Sequence, residues 1–319
     1  MPETPLGKHY ELGALRSHFY VEPMRPARVL IIYIVLVFFG GALAAPWLYQ
    51  AVQAAAPSFP ALQTLSHNPF HRFVHRSMLI LAVAGLWPLC RLLGLRRWAD
   101  AGFARERRAG RGLAAGCLTG FLSLGLIALL ICAAGVRRFD FARDAHPART
   151  LLVALLTAAV VAPLEELLFR GALFGGLRRA HPWKISLLAS SALYALVHFF
   201  SRPESPSPID AFSGLVVLER MLHGFVDPQI LVPGFFNLLV AGAILGMAYQ
   251  RTGSLYFSIG LHAGWIFCLK AFAATTTEVR PSWLWGGERL IDGWIALLVL
   301  SCLFFLVARR PELRAGESK

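Results

Sequence analysis

Charge is scarce in this chain. Charged residues make up 15% of its 319 residues and apolar ones 56%, where a soluble globular protein carries about 25% and 45–50%. That deficit excludes a single soluble domain and, with so much apolar sequence, a disordered chain. Negative charge is the scarcer sign. Against 31 Lys and Arg stand 18 Asp and Glu, a formal net charge of +13. Cysteine is scarce too. Cys90, Cys117, Cys132, Cys268 and Cys302 lie inside apolar runs and none forms a CxxC pair, which argues against a disulfide framework or a Cys-based zinc site. Missing as well are a Gly-x-Ser-x-Gly nucleophile elbow, a His-Glu-x-x-His zinc helix, a P-loop and a Gly-x-Gly-x-x-Gly turn.

What the chain does have is long apolar runs. Eight approach the roughly 20 residues that a membrane-spanning helix needs. They are Val29–Tyr49, Ser77–Leu95, Leu113–Val136, Leu151–Leu177, Ile185–Phe200, Gln229–Gln250, Ser254–Ala271 and Gly293–Ala308. The pattern predicts an all-α, polytopic integral membrane protein of about eight helices enclosing a polar intramembrane cavity. No apolar stretch opens the first 28 residues, so the first run reads as an uncleaved anchor. The chain divides into a cytoplasmic N-terminal segment (1–28), N-terminal membrane helices with an Arg-rich loop (29–150), a core (151–271), and a last helix with a basic tail (272–319).

The basic residues lie in short stretches between these runs, where membrane proteins keep them. They do not gather on one face as they do in nucleic-acid proteins, so no nucleic-acid partner is expected. With the N-terminus inside, the cytoplasmic segments hold 19 Lys and Arg and the opposite loops 11. This excess places both termini in the cytoplasm of a cell-membrane protein. The loop Ser201–Pro228 opens Pro-rich. It continues over Ile209–Phe225 as an amphipathic helix, either lying at the interface or simply a surface helix.

Ionisable residues inside spans are costly, about 2.5–3.5 kcal/mol each, and so point to function. Glu165, Glu166 and Arg170 share one run, His198 lies in a second and His262 in a third. Adjacent helix residues point about 100° apart, so the two glutamates have different tasks. Glu166 and Arg170 are four apart and share a face, which predicts an ion pair. Glu165 has Phe169 at that spacing and no local cation, leaving it as the candidate general base or acid. Glu165 and His262 lie about 12 Å from the cytoplasmic face and His198 about 15–20 Å, so one cavity can hold all three. A Glu with two His can activate water and stabilise an oxyanion. The same three residues could instead bind Zn²⁺.

These motifs resemble the CPBP family, the CAAX-protease or Abi family of glutamic-type intramembrane endopeptidases. Glu165-Glu166-x-x-x-Arg170, then Tyr194-x-x-x-His198, then His262 resemble its three motifs in order and spacing. The resemblance covers about Leu151–Lys270 and is similar to the type II CAAX prenyl endopeptidase. It implies that Glu165 activates water with His198 as partner, and that His262 stabilises the oxyanion. Glu166 and Arg170 have supporting roles, no cofactor is needed, and the substrate is a peptide or protein at the membrane, prenylated ones included. Two departures stand out. Tyr194 replaces the usual Phe. Ile266 occupies a position that is usually Asn, and it cannot donate a hydrogen bond. Asn237 in the preceding span is a candidate replacement, or else helix–helix glue. Ile266 favours a second reading, a non-proteolytic immunity or scaffolding protein of the same fold. A third reading, a proton-coupled transporter, is disfavoured by unbroken spans and the lack of an internal repeat.

Overall fold

The computed structural model of the chain describes residues 26–103, 109–226, 228–280, 282–286 and 290–309. Most of the N-terminal segment, residues 104–108 of the Arg-rich loop and the basic tail lie outside the described residues. The protein is all-α and polytopic. Its main helices are α1 (Pro26–Ala55), α2 (Phe70–Leu92), α3 (Ala109–Ala133), α4 (Pro147–Leu177), α5 (Trp183–Phe199), α6 (Ser213–Met221), α7 (Pro228–Thr252), α8 (Tyr256–Thr275) and α9 (Trp294–Arg309).

All eight apolar runs are helical, because a backbone in hydrocarbon must satisfy its own polar groups. Among the described residues, six helices are long and apolar enough to cross a membrane: α1 to α4, the Leu231–Thr252 part of α7, and α8. The other two, α5 and α9, have 17 and 16 residues. At 1.5 Å per residue they reach about 25 Å, short of a bilayer core of about 30 Å. Proline punctuates several starts. Pro147 opens α4 and Pro182 immediately precedes α5, positions where a missing N–H costs nothing.

The spans are not unbroken. Over Leu36–Gly40 in α1 and over Leu167–Phe174 in α4 the backbone widens into a π-helix. Val232 in α7 leaves the helical region (φ −114°, ψ 118°). It precedes Pro233, whose ring disfavours α geometry at the residue before it. A short antiparallel ribbon, β1 (Arg137–Phe139) with β2 (Thr276–Glu278), also interrupts the all-helical pattern. It ties the end of α3 to the end of α8. Buried Arg137 donates to Thr276 Oγ1 at 3.0 Å and Arg143 to the Thr276 carbonyl at 2.8 Å.

The expected interfacial helix is shorter than its run and packs on protein. Asp210 Oδ1 accepts from the Phe212 N–H and the Ser213 hydroxyl, a local turn that delays the helix until Ser213. From there Val217, Leu218 and Met221 of α6 pack with Ala42, Phe70, Phe73 and Val74 of α1 and α2. This is a separate apolar cluster from the main core, which draws on α3–α5 and α7–α9 together with Val29 and Leu30 of α1 and Leu86 and Leu89 of α2. Within that core α8 is the most enclosed span, more than half buried. It packs against α3 on one side and α4 on the other, while α7 packs against α5 and α9.

Close packing of α3 with α8 follows from glycines four apart on both helices, Gly116 and Gly120 facing Gly260 and Gly264. A Cβ on Gly264 would stand 2.6 Å from the Cys117 carbonyl oxygen and 3.0 Å from the Phe121 nitrogen. Small residues let membrane helices approach closely where no hydrophobic drive separates helix from lipid.

Candidate active site

The site sits where α4, α5 and α8 meet. Glu165 and Glu166 are the last residues of α geometry before the π stretch of α4, and Arg170 lies within that stretch. A π turn adds a residue to the turn and re-aims its side chains, and such bulges concentrate at functional sites. Here the i,i+4 pair survives it. Arg170 Nη1 lies 2.8 Å from Glu166 Oε1, with the two side chains 3% and 0% exposed. Arg170 Nη2 donates to the Gly242 carbonyl of α7 at 3.2 Å. The guanidinium also lies over the Tyr194 ring, 4.6 Å from its centroid.

From α8, His262 reaches the same Glu166 oxygen, Nδ1 to Oε1 at 3.0 Å. Glu166 Oε1 also accepts from Arg170, so here the carboxylate accepts and Nδ1 donates. The other ring nitrogen, Nε2, then faces the Tyr194 hydroxyl at 3.4 Å and Glu165 Oε2 at 3.7 Å. From α5, His198 Nδ1 donates to the Tyr194 carbonyl at 2.8 Å, and its Nε2 lies 3.2 Å from Glu165 Oε2. His198 Nε2 thus lies within ion-pair distance of Glu165 Oε2.

Exposure splits the cluster in two. The Glu166, Arg170 and His262 side chains are sealed at 0–4%, whereas Glu165 is 25% and His198 30% exposed. The half that meets water is the Glu165–His198 pair. The sealed half holds His262 in one orientation, its Nδ1 on the carboxylate, as an orienting carboxylate does in hydrolase triads.

Glu165, Glu166, Arg170, Tyr194, His198 and His262 thus come together from three spans. The absence of a local cation beside Glu165 is compensated from outside its helix, by imidazoles from α5 and α8. Asn237 is not drawn into the cluster. It is fully buried and its amide donates to the Gly293 carbonyl at 3.0 Å, which ties α7 to the start of α9. Ile266, one turn beyond His262, is half-buried and packs against the main core. Among the described residues, no three His, Cys, Asp or Glu side chains are disposed to hold a metal ion. The surface concavities lined by Phe141, Asp144, Pro147, Leu151, Ala274 and Thr275, and by residues 145–149, lie at the α4 start beside the ribbon, away from this cluster.

Residues 147–268 match the family model described as type II CAAX prenyl endopeptidase Rce1-like. That segment is similar to Rce1-like domains. It runs from the first turn of α4 almost to the end of α8 and contains every residue of the cluster, so the resemblance drawn from the three motifs stands. No curated protein and no solved structure matches the chain. The family so described is one of endopeptidases.

Two features of the site escape motif reading. One is the π stretch, which has no sequence signature. The other is the α3–α8 glycine contact, which sets the depth of His262. Its signal was present as Gly116-x-x-x-Gly120 and Gly260-x-x-x-Gly264, the small-residue spacing of close helix pairs.

Proposed function

We propose that the protein is an intramembrane endopeptidase in which Glu165 activates water against a peptide bond. The observation that carries this reading is the convergence on Glu165 Oε2 of His198 Nε2 at 3.2 Å and His262 Nε2 at 3.7 Å. Glu165 removes a proton from water as its oxygen bonds to the scissile carbonyl carbon. The carbonyl π pair moves onto oxygen, and a proton on His262 Nε2 faces that developing charge. When the tetrahedral adduct collapses, the carbon–nitrogen bond breaks. The proton held by Glu165 and His198 passes to the leaving amine, giving a carboxylic acid and an amine. Glu166 and Arg170 hold His262 and are positioning residues. The reaction needs no metal.

The substrate in this reading is a peptide or protein segment at the cell membrane, prenylated chains included. Both termini lie in the cytoplasm, by the excess of Lys and Arg in the loops on that side. A specific observation favours the second reading of a peptide-binding protein that does not cut, such as an immunity or scaffolding factor. Ile266 and the engaged amide of Asn237 leave neither position with a donor for an oxyanion. One experiment decides between them. Purified protein in detergent or vesicles is given a panel of membrane-proximal and prenylated peptides. Cleavage is expected, with a loss of about 10²–10⁴ in rate for Glu165→Gln and an unchanged thermal transition. Equal cleavage by the variant removes Glu165 from the mechanism, and binding without cleavage by the parent establishes the second reading.

A further inference from the structure

Beyond the glutamate and the two histidines, one more polar group lies at the cluster, the Tyr194 hydroxyl, 3.4 Å from His262 Nε2. We infer that the hydroxyl of Tyr194 is a catalytic hydrogen-bond donor, which binds the scissile carbonyl oxygen as it becomes an oxyanion. This rests on the reading of Glu165 as the water-activating base.

Donor accounting leads to it. An attacked carbonyl oxygen becomes an anion and needs donors already aimed at it. His198 spends Nδ1 on the Tyr194 carbonyl and turns Nε2 to Glu165. His262 spends Nδ1 on Glu166. The Arg170 guanidinium is committed to Glu166 and the Gly242 carbonyl. The Asn237 amide is committed to Gly293. Ile266 lies on the His262 face of α8, one turn along, and offers only hydrocarbon. Two groups are left, His262 Nε2, a donor when the ring is protonated on both nitrogens, and the Tyr194 hydroxyl 3.4 Å from it.

The hydroxyl is placed for this task and otherwise underused. Tyr194 is buried, 4% exposed, and a buried phenol normally finds a partner. An O–H bond to an acceptor is usually 2.5–3.0 Å, yet the recorded contact of this hydroxyl, to His262 Nε2, is 3.4 Å. A proton on Nε2 would be directed at the phenol oxygen and would turn the phenol's own hydrogen outward, beside Glu165. Meanwhile the ring cannot wander. It packs edge-on against Phe169, centroids 5.2 Å apart, and lies under the Arg170 guanidinium. Preorganisation of this kind is what makes a donor useful, because no reorganisation is needed during the reaction. A hydroxyl at residue 194 with hydrocarbon at residue 266 thus forms one arrangement, in which the donor is supplied from α5 and not from α8.

The test uses the full-length protein with a cleaved peptide. Tyr194→Phe should lower kcat by about 10²–10³, the loss of one oxyanion donor, with KM within a few-fold. Adding Ile266→Asn in that background should recover at least tenfold by restoring a donor on the His262 face. Should Tyr194→Phe fail to fold, 3-fluorotyrosine at position 194 keeps the shape and changes the acidity of the hydroxyl. A shift in kcat with that acidity supports the donor role, and an unchanged kcat overturns it. Full kcat in a folded Tyr194→Phe protein, with Glu165→Gln inactive, overturns the role of Tyr194 and leaves Glu165 in place. Absence of cleavage by the unsubstituted protein overturns both.

Discussion

Glu166 Oε1 is the single oxygen that joins Arg170 to His262, at 2.8 Å from the guanidinium and 3.0 Å from the imidazole Nδ1. An α4 carboxylate thereby fixes an α8 ring and has its own charge balanced within one helical turn. The order is cation, anion, imidazole, and it ends at Nε2 beside Glu165. Burial makes the arrangement rigid, and it makes each member costly to remove.

The first prediction concerns that cost. Glu166→Gln keeps an acceptor for both partners, but it leaves the Arg170 charge uncompensated. It also puts an amide donor where Glu166 Oε2 has no hydrogen-bond partner. Breaking a buried pair by removing one charge costs about 3–5 kcal/mol, so unfolding in detergent should shift by that much. Replacing the pair is milder than breaking it, so Glu166→Gln with Arg170→Met should be more stable than Glu166→Gln alone. A double variant no more stable than the single would show that the ion pair is not what the fold depends on here.

A second prediction concerns pH at the edge of the membrane. The Ser213 hydroxyl and the Phe212 N–H both donate to Asp210 and hold its carboxyl below the usual range. A depressed carboxyl stabilises the turn above the unfolded value of about 3.9, and that contribution is lost as pH falls through the depressed value. Proteolytic cutting of residues 201–212 should therefore accelerate under acid. Asp210→Asn keeps the acceptor and loses the titration, so its cutting should not depend on pH. A variant that follows the parent's pH profile would assign the effect to another group.

Much of this was legible in the order of apolar runs. Each run became a helix, because hydrocarbon leaves the backbone no alternative. The Glu166–Arg170 contact followed from a spacing of four. Other features depend on contacts between distant segments. Glu165 looked unpartnered because its partners, His198 and His262, lie 33 and 97 residues further along the chain. Helix α6 read as an interfacial helix because its apolar face carries no mark of what covers it, and α1 and α2 do. The break at Val232 was readable from Pro233, and the π stretch of α4 was not. Tyr194 registered as a mild change, since only the fold shows its hydroxyl beside His262.

The metal reading has a direct test. Glu165, His198 and His262 are residue types that could ligate zinc, whereas the mechanism proposed here uses their protons. Cleavage should survive dialysis against a strong chelator followed by assay in chelator, and added zinc should not raise it. Loss of activity on chelation, restored by stoichiometric zinc, would replace the proton mechanism with metal-bound water.

The last prediction concerns how α8 places His262. The helix lies against α3 through Gly260 and Gly264, and a methyl on Gly264 would meet Cys117 and Phe121 backbone at 2.6 and 3.0 Å. Backbone cannot step aside as a flexible side chain does, so Gly264→Ala must push the two helices apart. Overpacking of this kind costs about 1–3 kcal/mol. His262 sits half a turn away on the same helix, so its Nε2 should shift relative to Glu165, and misplacement by about 1 Å can cost 10²-fold in rate. Gly125 of α3 is the matched control. Nothing lies within 4 Å of a Cβ built there, and alanine in a helix interior is favoured over glycine by about 0.5–1 kcal/mol. Gly125→Ala should therefore be as stable as the parent or more so, with full activity. If both alanine variants lose activity equally, the cause is a general sensitivity of α3 and α8. Loss confined to Gly264→Ala would tie the rate to the depth at which this one contact holds His262.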